Sequence, residues 1–114
     1  MTAWTQEAEN KYRELQDLWY KGMDHEREGR FGVARELFME GLRRAESPDY
    51  AVANPGDRIR QLSTALGYLL EKLGEYKEAS RHLRKAGQGQ YRGAVRCLLA
   101  LNEDKETRAA VDEM

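Results

Sequence analysis

Two segments of this chain follow one pattern: GRFGVARELFMEG at positions 29–41 and GEYKEASRHLRKA at positions 74–86. In each segment, a glycine is followed at fixed offsets by an aromatic residue, an alanine, a bulky apolar residue and a small residue. These positions are Gly29, Phe31, Ala34, Phe38 and Gly41 in the first copy and Gly74, Tyr76, Ala79, Leu83 and Ala86 in the second. A weaker third copy follows Gly89, with Tyr91, Ala94, Leu98 and Leu101 at those offsets. Self-similarity of this kind indicates a repeat architecture.

The glycines of the pattern have physical roles that suit helical hairpins. Gly29 and Gly74 follow helical stretches, where a residue in the left-handed conformation ends a helix without a Cβ clash. Gly22 and Gly67 precede them inside helical patterns, at a cost of about 1 kcal/mol each relative to alanine. We therefore expect a neighbouring helix to need the room at Gly22 and Gly67.

The rest of the chain also has helical periodicity. No stretch alternates between apolar and polar residues for long enough to predict a strand. We predict six helices in antiparallel pairs, at about 3–28, 31–45, 55–73, 75–86, 90–101 and 103–112. Asn54 is expected to cap the third helix, with Pro55 in its first helical position, and Asn102 is expected to cap the last helix. The fold class predicted is all-α.

Composition places the chain among small globular domains. Its 114 residues are the length of one domain, and 40% hydrophobic content excludes a disordered chain. Lysine and arginine number 19 against 20 acidic residues, so the net charge of -1 gives no field that would attract nucleic acid or a membrane surface. No apolar run approaches the ~20 residues that span a bilayer. The first residues lack the basic and apolar regions of a secretory signal. Cys97 is the only cysteine and cannot form an internal disulfide, which fits a reducing compartment, so we expect a cytoplasmic protein.

The segment LGYLLEKLGEYKEASRHLRKA, 66–86, resembles a tetratricopeptide repeat. The positions that carry the resemblance are Leu66, Gly67, Leu70, Gly74, Tyr76, Ala79, Leu83 and Ala86. The first copy departs from that family's pattern at Lys21, His25 and Gly41, and its offset of 45 residues from the second exceeds the usual ~34. We assign the excess to an insert at 47–56. The resemblance implies a short right-handed α-solenoid over 1–114, with repeats at about 15–48 and 60–88 and a degenerate terminal pair at 90–112 that covers the end of the stack.

The same resemblance implies a partner-binding groove. In tetratricopeptide folds the first helix of each pair lines a concave surface. The corresponding residues here are Gln16, Trp19, Met23, Glu26 and Arg27 in the first helix and Gln61, Thr64, Tyr68, Glu71 and Lys72 in the third. Trp19, Met23 and Tyr68 give this surface an aromatic and apolar centre of the kind found at binding hot spots. The alternative is that Trp19 or Tyr68 is core, covered by the chain's own helices.

The family's chaperone-binding members hold a C-terminal carboxylate with lysine and asparagine on these faces. The corresponding positions here carry Trp19, Met23, Ala65 and Tyr68, so that activity is not supported.

A second candidate surface is a cluster of positive charge. Between positions 77 and 96 the only acidic residue is Glu78, and the cations of this basic ridge are Lys77, Arg81, Arg84, Lys85, Arg92 and Arg96. The ridge would suit an acidic partner or RNA phosphates. The alternative is a solvated set of cations placed near a helix C-terminus, where the helix dipole favours them. We consider nucleic acid the less favoured partner.

Residues for catalysis or metal binding are few. His25, His82 and Cys97 are far apart in sequence, and although His25 could join Asp24 or Glu28 at a metal, the spacing is not that of a metal site. We expect no enzyme activity and no cofactor. The function expected is that of a protein–protein interaction module, an adaptor or scaffold that binds a peptide or helix of another protein in the groove. The alternatives are a homo-oligomerisation module and a sensor of a peptide or small ligand.

Overall fold

The computed structural model describes residues 4–87, 90 and 92–101, and every regular element among them is helical. The elements are α1 at Gln6–Arg27, α2 at Phe31–Ala45, a 3-10 helix at Pro48–Ala53, α3 at Gly56–Lys72 and α4 at Tyr76–Lys85, followed by α5 at 92–101. The predicted all-α class is confirmed for this part of the chain. The helix predicted at 103–112, with its cap Asn102, lies outside the described residues.

The repeated glycines end the first helix of each pair as predicted. Gly29 and Gly74 have φ angles of 81° and 79°, in the left-handed region. The residue after Gly29 donates its N–H to the carbonyl oxygen of His25, and the residue after Gly74 does the same to Leu70. Each glycine also donates to the carbonyl three residues before it, which completes a Schellman motif. The chain therefore reverses in the same way at both points.

The glycines inside α1 and α3 let the second helix of each pair approach closely. A Cβ on Gly22 would lie 2.7 Å from Cδ1 of Phe38, and a Cβ on Gly67 would lie 2.6 Å from Cγ of Leu83. Phe38 and Leu83 are fully buried and occupy equivalent positions in the two copies. The expectation that neighbouring helices need this space is confirmed.

Gly41, which departs from the family pattern, has a similar packing role. A Cβ there would lie 2.9 Å from Cδ2 of Leu62, a fully buried side chain of α3. Gly41 therefore permits close packing between the two helical pairs.

The insert at 47–56 forms the 3-10 helix and packs on α1. Ala53 is buried, the Tyr50 hydroxyl donates to Glu14, and the Lys11 ammonium donates to the carbonyl oxygen of Asp49. The predicted N-cap role of Asn54 is wrong. Asn54 has φ 45° and ends the 3-10 helix, so α3 begins one residue later than predicted, at Gly56, with Pro55 at the cap position. Asparagine tolerates this left-handed conformation better than most residues, which is why it suits the turn.

One hydrophobic core runs through both pairs. α1 packs on α2, α3 packs on α4, and α2 and α3 join the pairs. The core residues are Ala34, Phe38, Leu42, Leu62, Leu66, Leu69, Leu70, Ala79 and Leu83, joined by Ala94 and Cys97 of α5. No helix in the described part of the chain combines the length and apolar character needed to cross a membrane.

Candidate functional site

A groove of about 460 Å³ lies between α1 and α3. We call it the α1–α3 groove. Its lining consists of Trp19, Met23 and Glu26 from α1, Arg60, Gln61, Thr64, Ala65, Tyr68 and Lys72 from α3, and Ala86 and Gln90 from the chain beyond α4. The structure thus brings together seven of the ten groove residues expected from the sequence, from helices that are far apart along the chain.

The centre of the α1–α3 groove is aromatic and apolar. Trp19, Met23 and Tyr68 are partly buried and pack against the core on one side, while their other side lines the groove. The Trp19 ring lies 4.9 Å from that of the exposed Tyr20 in a tilted arrangement. The Tyr68 hydroxyl donates to the side-chain oxygen of Gln90. These contacts hold the aromatic surfaces in place before any partner arrives.

Several polar side chains of the groove are positioned by neighbours. Gln61 accepts a hydrogen bond of 2.5 Å from Nη1 of Arg58, and the Thr64 hydroxyl donates to the Arg60 carbonyl at 2.8 Å. Lys72 Nζ lies 3.8 Å from Glu26 Oε1, so an ion pair joins α3 to α1 beside the aromatic centre. The rim therefore carries both signs of charge around an apolar centre.

Arg58 is a buried support for this arrangement. Only 7% of the residue is exposed, and its guanidinium lies 4.4 Å from the centre of the Tyr12 ring. Its Nε has no hydrogen-bond partner among the described residues, so the Gln61 oxygen is important for offsetting the burial of this cation. Gln61 therefore links the groove to the packing of α3 on α1.

Three residues expected in the groove lie elsewhere. Gln16 is outside the lining, and Arg27 pairs with Asp24 at 2.6 Å. Glu71 faces α5, where it accepts hydrogen bonds of 2.5 and 2.7 Å from Arg96. The hydrogen bonds from Arg96 lower the pKa of Glu71. Glu71 is not part of the groove lining because α5, whose packing helical periodicity does not report, takes that side of α3.

Arg60, Ala86 and Gln90 line the groove but were not expected there, and Ala65, which the resemblance placed on these faces, lines it too. For Arg60 and Ala65 the sequence did hold a signal, because they lie three or four residues from expected groove residues and so share their helix face. Ala86 and Gln90 could not be found this way, since they arrive from beyond α4.

The basic ridge is partly neutralised. Arg81 pairs with Glu78, Lys85 pairs with Glu46, and Arg96 pairs with Glu71. The remaining ridge cations, Lys77, Arg84 and Arg92, are exposed, and no ion pair is formed by them within the described residues. Over the part of the chain that the structure describes, three of the six ridge cations, on α4 and α5, are therefore outside any ion pair.

The histidines and the cysteine stay on separate elements. His25 Nδ1 accepts a hydrogen bond of 2.8 Å from Arg30, and His82 lies on α4. Burial, together with a hydrogen bond to Glu71 at 3.4 Å, raises the pKa of the Cys97 thiol to about 11. Over residues 4–87, 90 and 92–101, no group of three or more potential metal-binding side chains comes together.

Comparison with known proteins found no matching family model, no matching curated protein and no matching solved structure. The function of this chain is therefore inferred from its own residues.

Proposed function

We propose that this chain is a non-catalytic protein–protein interaction module, an adaptor or scaffold, that binds a peptide or helix of a partner in the α1–α3 groove. The observation that carries this proposal is that Trp19, Met23 and Tyr68, each partly buried, line one groove between α1 and α3. Aromatic residues and methionine are enriched where protein surfaces bind each other. The volume of about 460 Å³ is suited to a few side chains of a partner.

The proposal includes the architecture that the resemblance to tetratricopeptide repeats implies. In a short right-handed solenoid, α1 and α3 are the first helices of successive pairs and line the concave side. The matched Schellman motifs after Gly29 and Gly74, and the matched close approaches at Gly22 and Gly67, support two equivalent pairs. A cytoplasmic location is part of the same proposal.

The groove chemistry indicates what kind of partner segment it would accept. An apolar or aromatic side chain would bury Trp19, Met23 and Tyr68 further, which is worth about 25 cal/mol for each Å² of apolar surface removed from water. The Glu26–Lys72 ion pair at the rim offers both an acceptor and a donor to polar groups of the partner. A partner that is strongly acidic or strongly basic would find no matching charge here.

The test compares capture of partners by the wild-type chain and by Thr64→Arg, using lysate of the source cell. Thr64 lies in the groove but outside the hydrophobic core, so a longer side chain there should block the groove without creating a cavity. Asp17→Arg is the matched control, because Asp17 is exposed on α1 and does not line the groove. We expect one partner to be retained by wild type and by Asp17→Arg and to be lost with Thr64→Arg.

Binding to the captured partner is then measured through Trp19. Trp4→Phe leaves Trp19 as the only tryptophan, so its emission reports on the groove alone. A blue shift on adding the partner segment is expected, since burial removes water from the indole. Equal capture by Thr64→Arg and wild type, or emission that the partner leaves unchanged, would refute this site. Capture of only the protein itself would favour a homo-oligomerisation role.

A further inference from the structure

The outer side of α5 is apolar, exposed and bordered by positive charge. Val95, Leu98 and Leu99 each have at least 37% of their surface exposed. Arg92 lies three residues before Val95 and seven before Leu99, so it shares their side of the helix. α5 therefore presents to its surroundings a surface that combines apolar side chains with a cation.

Two further cations border this surface from α4. The side of α4 that faces α2 carries charged and polar residues that line a cavity between those helices, namely Glu78, Arg81, His82 and Lys85. Lys77 and Arg84, seven residues apart, lie outside that lining, on the side turned away from α2. Ser80 lies between them on that side and is buried, and Leu83 contacts α5 at Gly93. Lys77 and Arg84 therefore border the place where α5 packs on α4.

Together these exposed residues form one surface, which we call the α4–α5 face: Lys77, Arg84, Arg92, Val95, Leu98 and Leu99. Its cations are the three ridge residues that stand outside any ion pair in the described part of the chain. The face carries no acidic residue, so its net charge is +3.

The chain leaves α5 beside one end of this face. A Cβ on Gly93 would lie 3.4 Å from Cε1 of Tyr68 on α3. One turn further along both helices, Arg96 pairs with Glu71, so α5 runs parallel to α3. α3 and α4 are antiparallel, because a tight turn joins them. The end of α5 therefore lies beside the start of α4, where Lys77 is placed.

The sequence that follows α5 matches the face in charge and in length. Residues 102–114, which lie outside the described part of the chain, include five acidic residues and two basic ones, for a net charge of −3. As a helix this segment would extend about 20 Å, against about 15 Å for α5. It is therefore long enough to run back over the whole face.

The segment also has the pattern that the face requires. On a helix, its apolar residues share one side with two glutamates, at the spacings of three, four and seven residues that bring side chains together: Glu103, Glu106, Ala110, Val111 and Met114. Lys105, Arg108 and Asp112 are related by the same spacings and fall on the opposite side. The side that is apolar is thus also the acidic one, which complements an apolar face bordered by cations.

We propose that the α4–α5 face is the docking site of the chain's own segment 102–114. The segment runs back antiparallel to α5, covers Val95, Leu98 and Leu99, and places its glutamates among the ridge cations. Because it is part of the same chain, its effective concentration at the face is high, and an acidic partner reaches the ridge only by displacing it. The α1–α3 groove stays open, so this inference does not depend on the proposed function.

Amide hydrogen exchange of the full chain, read by mass spectrometry, tests this docking. An isolated helix of this length is only marginally stable in water, so protection of 103–114 reports docking. At about 10 mM salt we expect exchange there to be at least ~10-fold slower than in the unfolded chain. Raising the salt to about 1 M shortens the screening length from about 30 Å to about 3 Å and should reduce the protection of both the segment and α5.

Charge reversal separates docking by charge from docking by apolar contact alone. Lys77→Glu with Arg84→Glu reverses the face, and Glu103→Lys with Glu106→Lys reverses the segment. Each pair alone should lower the protection of 103–114 at least ~3-fold, the effect of about two exposed ion pairs, and the two pairs combined should restore it. Asp112→Lys is the matched control for Glu106→Lys, since the charge change is equal and Asp112 lies on the opposite side of the segment.

The outcomes that would overturn the proposal are distinct. Exchange of 103–114 at the rate of the unfolded chain would show that the segment does not dock. Protection that salt and both charge reversals leave unchanged would show that the ridge does not hold it. Faster exchange in Thr64→Arg would place the segment in the α1–α3 groove instead. Binding of a short RNA to wild type without faster exchange of 103–114 would assign the ridge to nucleic acid. Circular dichroism confirms in each variant that the helices are retained.

Discussion

Replacement of Gly22 by alanine should destabilise the protein, although alanine is the better helix former. In an unobstructed helix interior the change would stabilise by about 1 kcal/mol. Here the added methyl group would lie 2.7 and 2.9 Å from Cδ1 and Cζ of Phe38. Phe38 is fully buried, so its ring has little room to retreat. Overpacking of this kind costs about 2–3 kcal/mol, and the net result is a loss of about 1–2 kcal/mol.

Urea denaturation followed by circular dichroism measures this loss as a lower midpoint at an unchanged m-value. Gly32→Ala is the matched control. Gly32 lies in α2, and no atom of the described residues is within 4 Å of its Cβ position, so alanine there should stabilise by up to ~1 kcal/mol. The double variant with Phe38→Leu should be more stable than the sum of the single effects predicts, by at least ~0.5 kcal/mol, because the smaller side chain relieves the clash. If Gly22→Ala proves as stable as wild type while Gly32→Ala is stabilised, the close approach does not have the energetic role assigned to it.

Four further predictions concern buried and bridging groups. Burial raises the pKa of Cys97 to about 11 from an ordinary value of 9.0, so thiol labelling at pH 8 should be at least ~100-fold slower in the folded than in the unfolded chain. The folded state holds the Cys97 proton more tightly than the unfolded state does. The contribution of Cys97 to the free energy of unfolding is therefore complete below pH 9 and is lost as the pH rises to about 11. Urea denaturation at a series of pH values over that range measures the loss. Gln61→Ala removes the acceptor of the buried Arg58 and should cost about 1.5–3 kcal/mol in urea denaturation, and a variant as stable as wild type would contradict this. Tyr50→Phe removes the hydrogen bond to Glu14 and should speed amide hydrogen exchange across the 3-10 helix, with a loss of only about 0.5–1.5 kcal/mol in the free energy of unfolding. Unchanged exchange would show that this hydrogen bond does not hold the insert on α1.

The sequence predicted most of the fold because the relevant signals are local. A helix is closed by hydrogen bonds between residues four apart, and the glycines that end α1 and α3 act through their own φ angles. Gly22 and Gly67 predicted close helix approaches for a similar reason, since a glycine inside a helix needs a compensating contact. The start of α3 was predicted wrongly because a local signal can suit two structures. Asn54 is favourable both as a helix cap and in a left-handed turn, and the 3-10 helix that packs on α1 selects the turn.

The candidate site was less predictable, because it depends on which helix faces meet. Trp19 and Tyr68 lie on helices that the resemblance places side by side, and the structure sets both along the α1–α3 groove. Glu71, one turn from Tyr68, was expected there too, yet α5 covers it through Arg96. The residues on one face of a helix do not predict which later helix will pack against that face.

The amino-acid sequence by itself determined the helical class, the two matched helical pairs and the glycines that separate and join them. The tertiary structure alone decided which side chains share a surface. The ion pair between Glu46 and Lys85 is the clearest case, since these residues lie 39 positions apart and meet only because the ends of α2 and α4 come together. Backbone hydrogen bonding is satisfied within a few residues, whereas surfaces form between residues distant in the chain, and their composition depends on packing that no local pattern specifies.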